Sequence, residues 1–243
     1  MLKQNLLFAS LLIFQISCSG PSQSIAKENQ EKTNINGRVN VEKVTDFDGN
    51  EYATVEIAGE IWTAENLRSL HYSDGTKIEE VHVFDDDEKN AAILGRLYTW
   101  ETAVGKWGIC PKGWRLPTDD DFKKMERHLG MAEEDIEDTG WRDTNSEGIR
   151  LKKEQKDFLW FDYSKRGVNS TGFSVIPTGV RTSGGYYIGG GAFADIWTST
   201  EFDAETALNR SLTWSWPHPG KAKIYRKPVD KKWGFSVRCI KIQ

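Results

Sequence analysis

The sequence predicts an α+β fold built mostly of short antiparallel strands and loops, with one or two helices. Three observations carry this expectation. Residues 116–130 hold helix start and stop signals around an apolar stripe. Before them, β-prone pieces are divided by turn chemistry. After them, the chain is rich in glycine and aromatics, and its short apolar pieces are bounded by turns. Strands, one helix and then many short strands is the order of an α+β domain with a meandering second half.

The first element is a leader. Lys3 supplies a positive start, and Leu6 to Phe14 is an apolar run broken only by Ser10. That run is too short to span a bilayer, which takes roughly 20 apolar residues, and has the length of a signal-peptide core. Residues 1–17 are therefore read as a signal peptide. Ile16-Ser17-Cys18 resembles a relaxed lipobox, with Gln15 where leucine is usual. The resemblance implies lipidation of Cys18 as the mature N-terminus; the alternative is an ordinary signal peptide with Cys18 as a bystander. Residues 18–40 are rich in Ser, Gln, Asn, Lys and Glu. They lack the apolar surface to offset ordering entropy, so they read as a lipidated flexible tether. From about Val41 the character changes, and 41–243 reads as one domain; about 200 residues is enough for a sizeable core. The ten tryptophans all lie between Trp62 and Trp233.

With Cys18 lipidated, Cys110 and Cys239 remain of the three cysteines. A pair in an oxidising compartment is most simply a disulfide; two buried free thiols are the alternative. Two isolated cysteines do not make a metal site.

Within the domain, Asp48-Gly49-Asn50 is turn chemistry between β-prone segments. Tyr52, Thr54, Val55 and Ile57 suit a strand, Ala58-Gly59-Glu60 a tight turn, and Ile61-Trp62-Thr63 a further strand. Asp46, Asp48 and Asn50 invite a calcium loop, but Gly49 falls too early for that geometry, so a hairpin is expected. Tyr72-Ser-Asp-Gly-Thr reads as another turn and Asp85 to Glu88 as a solvated acidic loop. Gly95 to Val104 reads as a strand running into a helix, since Leu97, Trp100 and Val104 share helical spacing.

In the clearest helix, Thr118 is the expected N-cap, with Asp121 placed for a reciprocal bond. Asp119, Asp120 and Asp121 suit the positive end of the helix dipole. Phe122, Met125 and Leu129 form one stripe, and Gly130 is a C-terminal stop. The aspartates so explained are not read as a metal or catalytic cluster. The chain ends on an alternating strand, Gly234 to Ile242.

Several strings then occur in order: Asp48-Gly-Asn-Glu-Tyr, Ile61-Trp-Thr-Ala-Glu-Asn-Leu, Asp74-Gly-Thr and Gly95-Arg-Leu-Tyr-Thr-Trp. They continue with Cys110-Pro-Lys-Gly-Trp-Arg-Leu-Pro-Thr, Gly172-Phe-Ser-Val-Ile-Pro-Thr-Gly-Val-Arg, Ile196-Trp-Thr-Ser-Thr-Glu and Gly234-Phe-Ser-Val-Arg-Cys. Together, over about 45 to 241, they resemble the Fibrobacter succinogenes major paralogous domain, a family found in many bacterial lipoproteins. That family is distantly similar to C-type-lectin-like folds, which implies a single C-type-lectin-like domain whose disulfide joins Cys110 near an early strand to Cys239 in the last one. Trp62, Trp100, Trp114 and Trp197 belong to the strings and are expected in the core. The lectin calcium strings are missing, so no metal and no cofactor is expected.

The expected function is a non-catalytic binding module for a polysaccharide or surface protein, on a lipoprotein secreted across the inner membrane and held at the outer membrane or cell surface. Exposed aromatics stack on sugar faces or anchor partners, and loop-borne polar groups orient them. The candidate surface is the stretch from Arg181 to Trp216: Tyr186, Tyr187, Trp214 and Trp216, with Arg181 and Arg210 as polar anchors. The alternatives are a structural or assembly subunit of a surface complex and a hydrolytic enzyme. His71, His82, His128 and His218 lack metal-ligand spacing, and no nucleophile elbow or phosphate loop occurs. A net charge of −4 without a basic aromatic stripe argues against nucleic acid as a partner.

Overall fold

The computed structural model describes residues 38–154, 160, 167–213 and 223–243. Cys18, Trp214, Trp216 and His218 lie outside them.

The chain opens with β1 (Arg38–Thr45), β2 (Glu51–Ile57) and β3 (Glu60–Thr63). β1 and β2 form the expected hairpin. Asp46 holds its turn by accepting from the Asn50 backbone at 2.8 Å, the Tyr52 hydroxyl at 2.6 Å and Ser69 Oγ at 2.5 Å. The carboxylate that invited a metal reading is thus occupied by donors of its own fold. Between β2 and β3, Ala58 and Gly59 both take positive φ (57° and 77°), the geometry of a two-residue hairpin turn.

β4 (Val81–His82) pairs with β5 (Leu97–Tyr98), with α1 (Lys89–Leu94) between them and α2 (Trp100–Ala103) after, so the ambiguous Gly95–Val104 stretch is a short strand followed by one helical turn. Next come β6 (Trp114–Arg115), α3 (Asp119–His128), α4 (Glu133–Ile136), β7 (Gly140–Arg142) and α5 (Glu147–Leu151). The second half holds β8 (Val180–Arg181), β9 (Tyr187–Ile188), β10 (Phe193–Glu201), β11 (Thr206–Thr213), β12 (Ile224–Asp230) and β13 (Ile240–Lys241). Among the described residues only α3, with ten residues, is a long helix; the others are single turns or little more.

Two sheets organise the fold: five strands in the order β1-β2-β3-β13-β6, and four in the order β10-β11-β12-β7. Every pairing between these named strands is antiparallel. The meandering second half is thus β10-β11-β12. Of the stretch expected to be loop-rich, Arg181 to Trp216, the described part, 181–213, is about half made of the two long strands β10 and β11.

The C-terminal segment differs instructively from its expectation. It alternates apolar and polar as read, but both faces are buried from Gly234 to Ile240. Phe235 exchanges backbone hydrogen bonds with Tyr98, Ser236 bonds Asp195 and Trp197, Val237 accepts from Leu67 and Cys239 accepts from Thr63. It runs between the two sheets, so its polar side meets protein instead of water. Cys239 is bonded to Cys110 across 129 residues, with Cα atoms 5.8 Å apart. Closing a loop of that size is worth about 4–5 kcal/mol by chain entropy.

Two apolar clusters fill the core. In one, Trp62 packs against Phe122 (5.1 Å) and Phe173 (5.6 Å). In the other, Trp197 stacks on Phe235 at 4.4 Å beside the disulfide. Trp62 and Trp197 are fully buried; Trp100 and Trp114 are only partly so, packing against the second cluster.

Helix α3 begins as expected: Thr118 Oγ1 accepts from Asp121 N at 3.1 Å, and Asp121 Oδ2 accepts from Thr118 N at 2.6 Å. Phe122, Met125 and Leu129 are buried. The three aspartates part company, however. Asp120 is exposed and Asp121 pairs with Arg115, whereas Asp119 turns inward. There it meets Arg210 at 2.6 Å and Arg226 at 2.8 Å, while Glu126, two turns on, meets Arg210 at 2.6 Å and Arg142 at 2.8 Å. This buried lattice joins α3 to β11, β12 and β7. It also corrects one expectation: Arg210 is 1 % exposed and binds the helix, not a ligand. On the strand it alternates with Asn209 and Ser211, and the side facing α3 contains the acids. Burial favours the neutral acid at Asp119, but the hydrogen bonds and charges of Arg226 and Arg210 outweigh it and hold the carboxyl well below its ordinary range.

On the same sheet, Asp195 is buried with Asn209 Nδ2 donating at 2.7 Å. Burial pushes its carboxyl up to about 6, against the weaker pull of Lys227, Ser211 and Asn209.

Two outcomes follow. Glu126→Ala strands the buried Arg142 guanidinium and leaves Arg210 with Asp119 as its one acid, and is expected to lower stability by about 3–5 kcal/mol in urea unfolding. Asp195 takes a proton more readily folded than unfolded, so its contribution is fully present below the ordinary carboxyl pKa of about 4 and lost as pH rises toward about 6. Asp195→Asn is therefore expected to gain on the parent between pH 4 and 7, on the order of 3 kcal/mol, in paired denaturation curves.

Candidate functional site

Three of the residues singled out from sequence converge on the β8–β9 hairpin. Its connection, Thr182 to Tyr186, is closed by Thr182 N donating to Tyr186 O (2.8 Å) and Gly185 N to Thr182 O (2.9 Å), with Gly185 at φ +86°. Tyr186 N donates to Thr182 Oγ1. The turn leaves the Tyr186 side chain 74 % exposed, the largest exposure among the large apolar and aromatic residues of the described chain.

Tyr187 is tied down instead. Its hydroxyl donates to Asp86, and its ring sits edge-on to Phe84 at 5.6 Å. Burial, with the Asp86 hydrogen bond, pushes the phenol up to about 12, so it stays a donor. Phe84 fits because residue 179 is glycine: a Cβ there would lie 2.4 Å from the ring. The expected acidic loop is accordingly less free than read. Asp86 serves Tyr187, Asp87 accepts from Lys89 N at 3.0 Å, and Glu88 pairs with Arg96 at 2.7 Å.

Arg181, the second hairpin anchor, exchanges backbone hydrogen bonds with Gly234. Its side chain lines a cleft of about 420 Å³ together with Glu80, His82, Glu101, Ser183 and Lys232. Burial and, next, the Arg181 charge lower the His82 pKa, so the imidazole is neutral at pH 7 and offers one donor and one acceptor. With Thr99 also in the lining, two carboxylates, two cations, a neutral imidazole and two hydroxyls thus surround one polar space that Ser183 of the Tyr186 turn borders. Such a space can hydrogen-bond a ligand carrying several hydroxyl or amide groups, with an aromatic face at hand.

The sequence reading missed a second aromatic surface. Trp141 on edge strand β7 stacks on Tyr225 of β12 at 4.5 Å, with Lys227 Nζ 5.1 Å from the Tyr225 ring, and Trp141 remains 45 % exposed. Its only sequence signal was a tryptophan directly after the Thr139-Gly140 turn. Pairing with Tyr225 joins residues far apart in the chain through the sheet register.

No curated protein and no solved structure matches this chain. A family model does match, over residues 55–241, and that span takes in the β8–β9 hairpin, its cleft, the disulfide and all the buried residues of both core clusters except Tyr52. The chain belongs to the Fibrobacter succinogenes major domain family.

Proposed function

We propose that this protein is a lipid-anchored surface protein whose domain is a non-catalytic binding module, and that the β8–β9 hairpin with its cleft contacts the ligand. Tyr186 carries the reading: folding leaves a large aromatic ring 74 % in solvent, on the same turn as Ser183, which lines a cleft of mixed charge. Exposing such a ring forfeits the burial that its neighbours Tyr187 and Phe84 gain, and a partner that covers it recovers that energy. A neutral or zwitterionic polyhydroxyl ligand suits the cleft, because acids and cations alternate there and neither sign dominates. A polysaccharide is the reading that combines ring stacking with this lining. The bond from Cys110 to Cys239, joining the region of β6 to the terminal strand, supports a distant C-type-lectin-like kinship. The leader ending at Cys18 supports export across the inner membrane and anchorage at the outer membrane or cell surface.

A glycan array followed by calorimetry tests the surface. A captured glycan is expected to bind at least about tenfold more weakly, or about 1.4 kcal/mol, to the Arg181→Ala/Tyr186→Ala variant, with folding unchanged. Undiminished binding there, with loss in Trp141→Ala, moves the site to the Trp141–Tyr225 platform. For the anchor, radiolabelled palmitate is expected to enter the wild-type chain and not Cys18→Ser; equal labelling refutes lipidation at that residue.

A further inference from the structure

Arg238 is the most deeply placed cation that the cleft reading leaves unused. It projects from the C-terminal segment with no measurable exposure. Its Nε donates to Asn66 Oδ1 at 2.8 Å, its Nη1 to the Thr63 and Phe173 carbonyls, and its Nη2 to Ser174 O at 3.1 Å. A guanidinium has five N–H groups, so one on Nη2 is left without an acceptor among the described residues. No carboxylate lies within ion-pair distance of Arg238 among the described residues, in contrast to Arg142, Arg210 and Arg226, each of which has one. Glu65 acts on it only at longer range, and is itself held by Arg68 at 2.8 Å and Ala53 N at 3.0 Å. Burial lowers the guanidinium pKa to about 9, which still leaves it charged at neutral pH.

The surroundings are built to hold that charge in place. Asn66 is fixed by donating to Leu94 O at 2.9 Å, which turns its Oδ1 toward Arg238. Ser174 and Asn169 both take left-handed backbone conformations (φ 57° and 43°), an arrangement strained for these residues. They brace each other: Asn169 Nδ2 donates to Ser174 Oγ and Ser174 N to Asn169 Oδ1, each at 2.9 Å. The braced turn points the Phe173 and Ser174 carbonyls at the guanidinium.

Arg238 is also part of the lining of a cavity of about 460 Å³. Among the charged residues in that lining, Arg68, Lys153 and Arg238 face a single acid, Glu65; Ala53, Ala64, Ala92 and Ile176 supply apolar wall. Lys153 is exposed and has no ion pair among the described residues. A buried charge without a counter-ion is costly unless something of opposite sign completes it.

We propose that this cavity is a binding site for a monocarboxylate with a compact, partly apolar body, held by Lys153 at its edge and drawn by the Arg238 charge buried behind its inner wall. Glu65 in the same wall disfavours phosphate and other dianions. The carboxylate belongs either to an acidic sugar or to a small organic acid. The site is separate from the β8–β9 cleft and stands or falls independently of it.

The test is NMR titration of the full secreted chain with galacturonate, lactate, galactose and inorganic phosphate. Galacturonate or lactate is expected to shift resonances of Asn66, Ser174 and Arg238, whereas galactose and phosphate do not. Galacturonate the tighter identifies an acidic sugar as source; lactate equal or tighter identifies an organic acid. Lys153→Glu, at an exposed position that folding does not depend on, is expected to weaken the carboxylate at least about tenfold. Arg238→Gln is expected to abolish binding, with Lys153→Glu decisive if that variant does not fold. Tyr186→Ala is expected to change nothing. Binding of galactose as tight as galacturonate, preference for phosphate, indifference to Lys153→Glu, loss in Tyr186→Ala, or no binding of either acid overturns the proposal.

Discussion

From Gly234 to Lys241 the backbone hydrogen-bonds in turn to β8, β5, β10, β3 and β6. No other stretch of the described chain joins so many separate elements. Phe235, Val237 and Cys239 enter the second core cluster and Ile240 the first, and its polar residues meet partners from distant loops. The disulfide fixes this segment to the region before β6, and its strand β13 sits between β3 and β6 in the five-stranded sheet while Ser236 bridges to β10. Contacts this non-local pay their loop-closure entropy before they return any stability. The covalent link removes part of that entropy from the unfolded chain.

The ionic lattice under α3 is the second constraint. Apolar residues of the helix pack on Trp62 and the core, but a stripe of Phe, Met and Leu sets no unique rotation or register. Asp119 and Glu126 do, because each needs particular arginines on particular strands. A buried lattice of this kind is weak evidence for net stability, since desolvation offsets much of the attraction. Its physical effect is to make misplacement expensive: a helix shifted by one turn leaves buried charges unpaired.

These two constraints position the surfaces. Arg181 reaches its cleft because its backbone is paired to Gly234 on the central segment, and Tyr187 is held by an acid from the loop before α1. Tyr186 is left over at the turn, which is why it alone of the three stays in solvent. Arg238 occupies the opposite situation, drawn inside by the same segment but given carbonyls and an amide in place of an acid. The exposed Tyr186 turn and a buried, unneutralised cation thus descend from one architectural feature, the threading of the C-terminal segment.

The local chemistry was legible in the sequence. The Thr118 cap and the Phe122-Met125-Leu129 stripe announced α3 and the Asp48-Gly49 turn its hairpin, because each depends on neighbours within a few residues; of the terminal strand expected over Gly234 to Ile242, only Ile240–Lys241 is a strand, with isolated bridges before it. Family strings and cysteine arithmetic together gave the fold class and the Cys110–Cys239 pair. Only the tertiary structure decided what those residues face. Alternation records which side chains share a side of a strand, not whether water or protein lies beyond it. Arg210 therefore read as a surface anchor and proved to be buried against Asp119 and Glu126, while Arg238 passed as one letter of a motif. Trp141 gained its meaning only by lying across from Tyr225. A charge or a ring acquires its role from partners dozens of residues away, and those distances are set by sheet register and by the closure of the chain on itself.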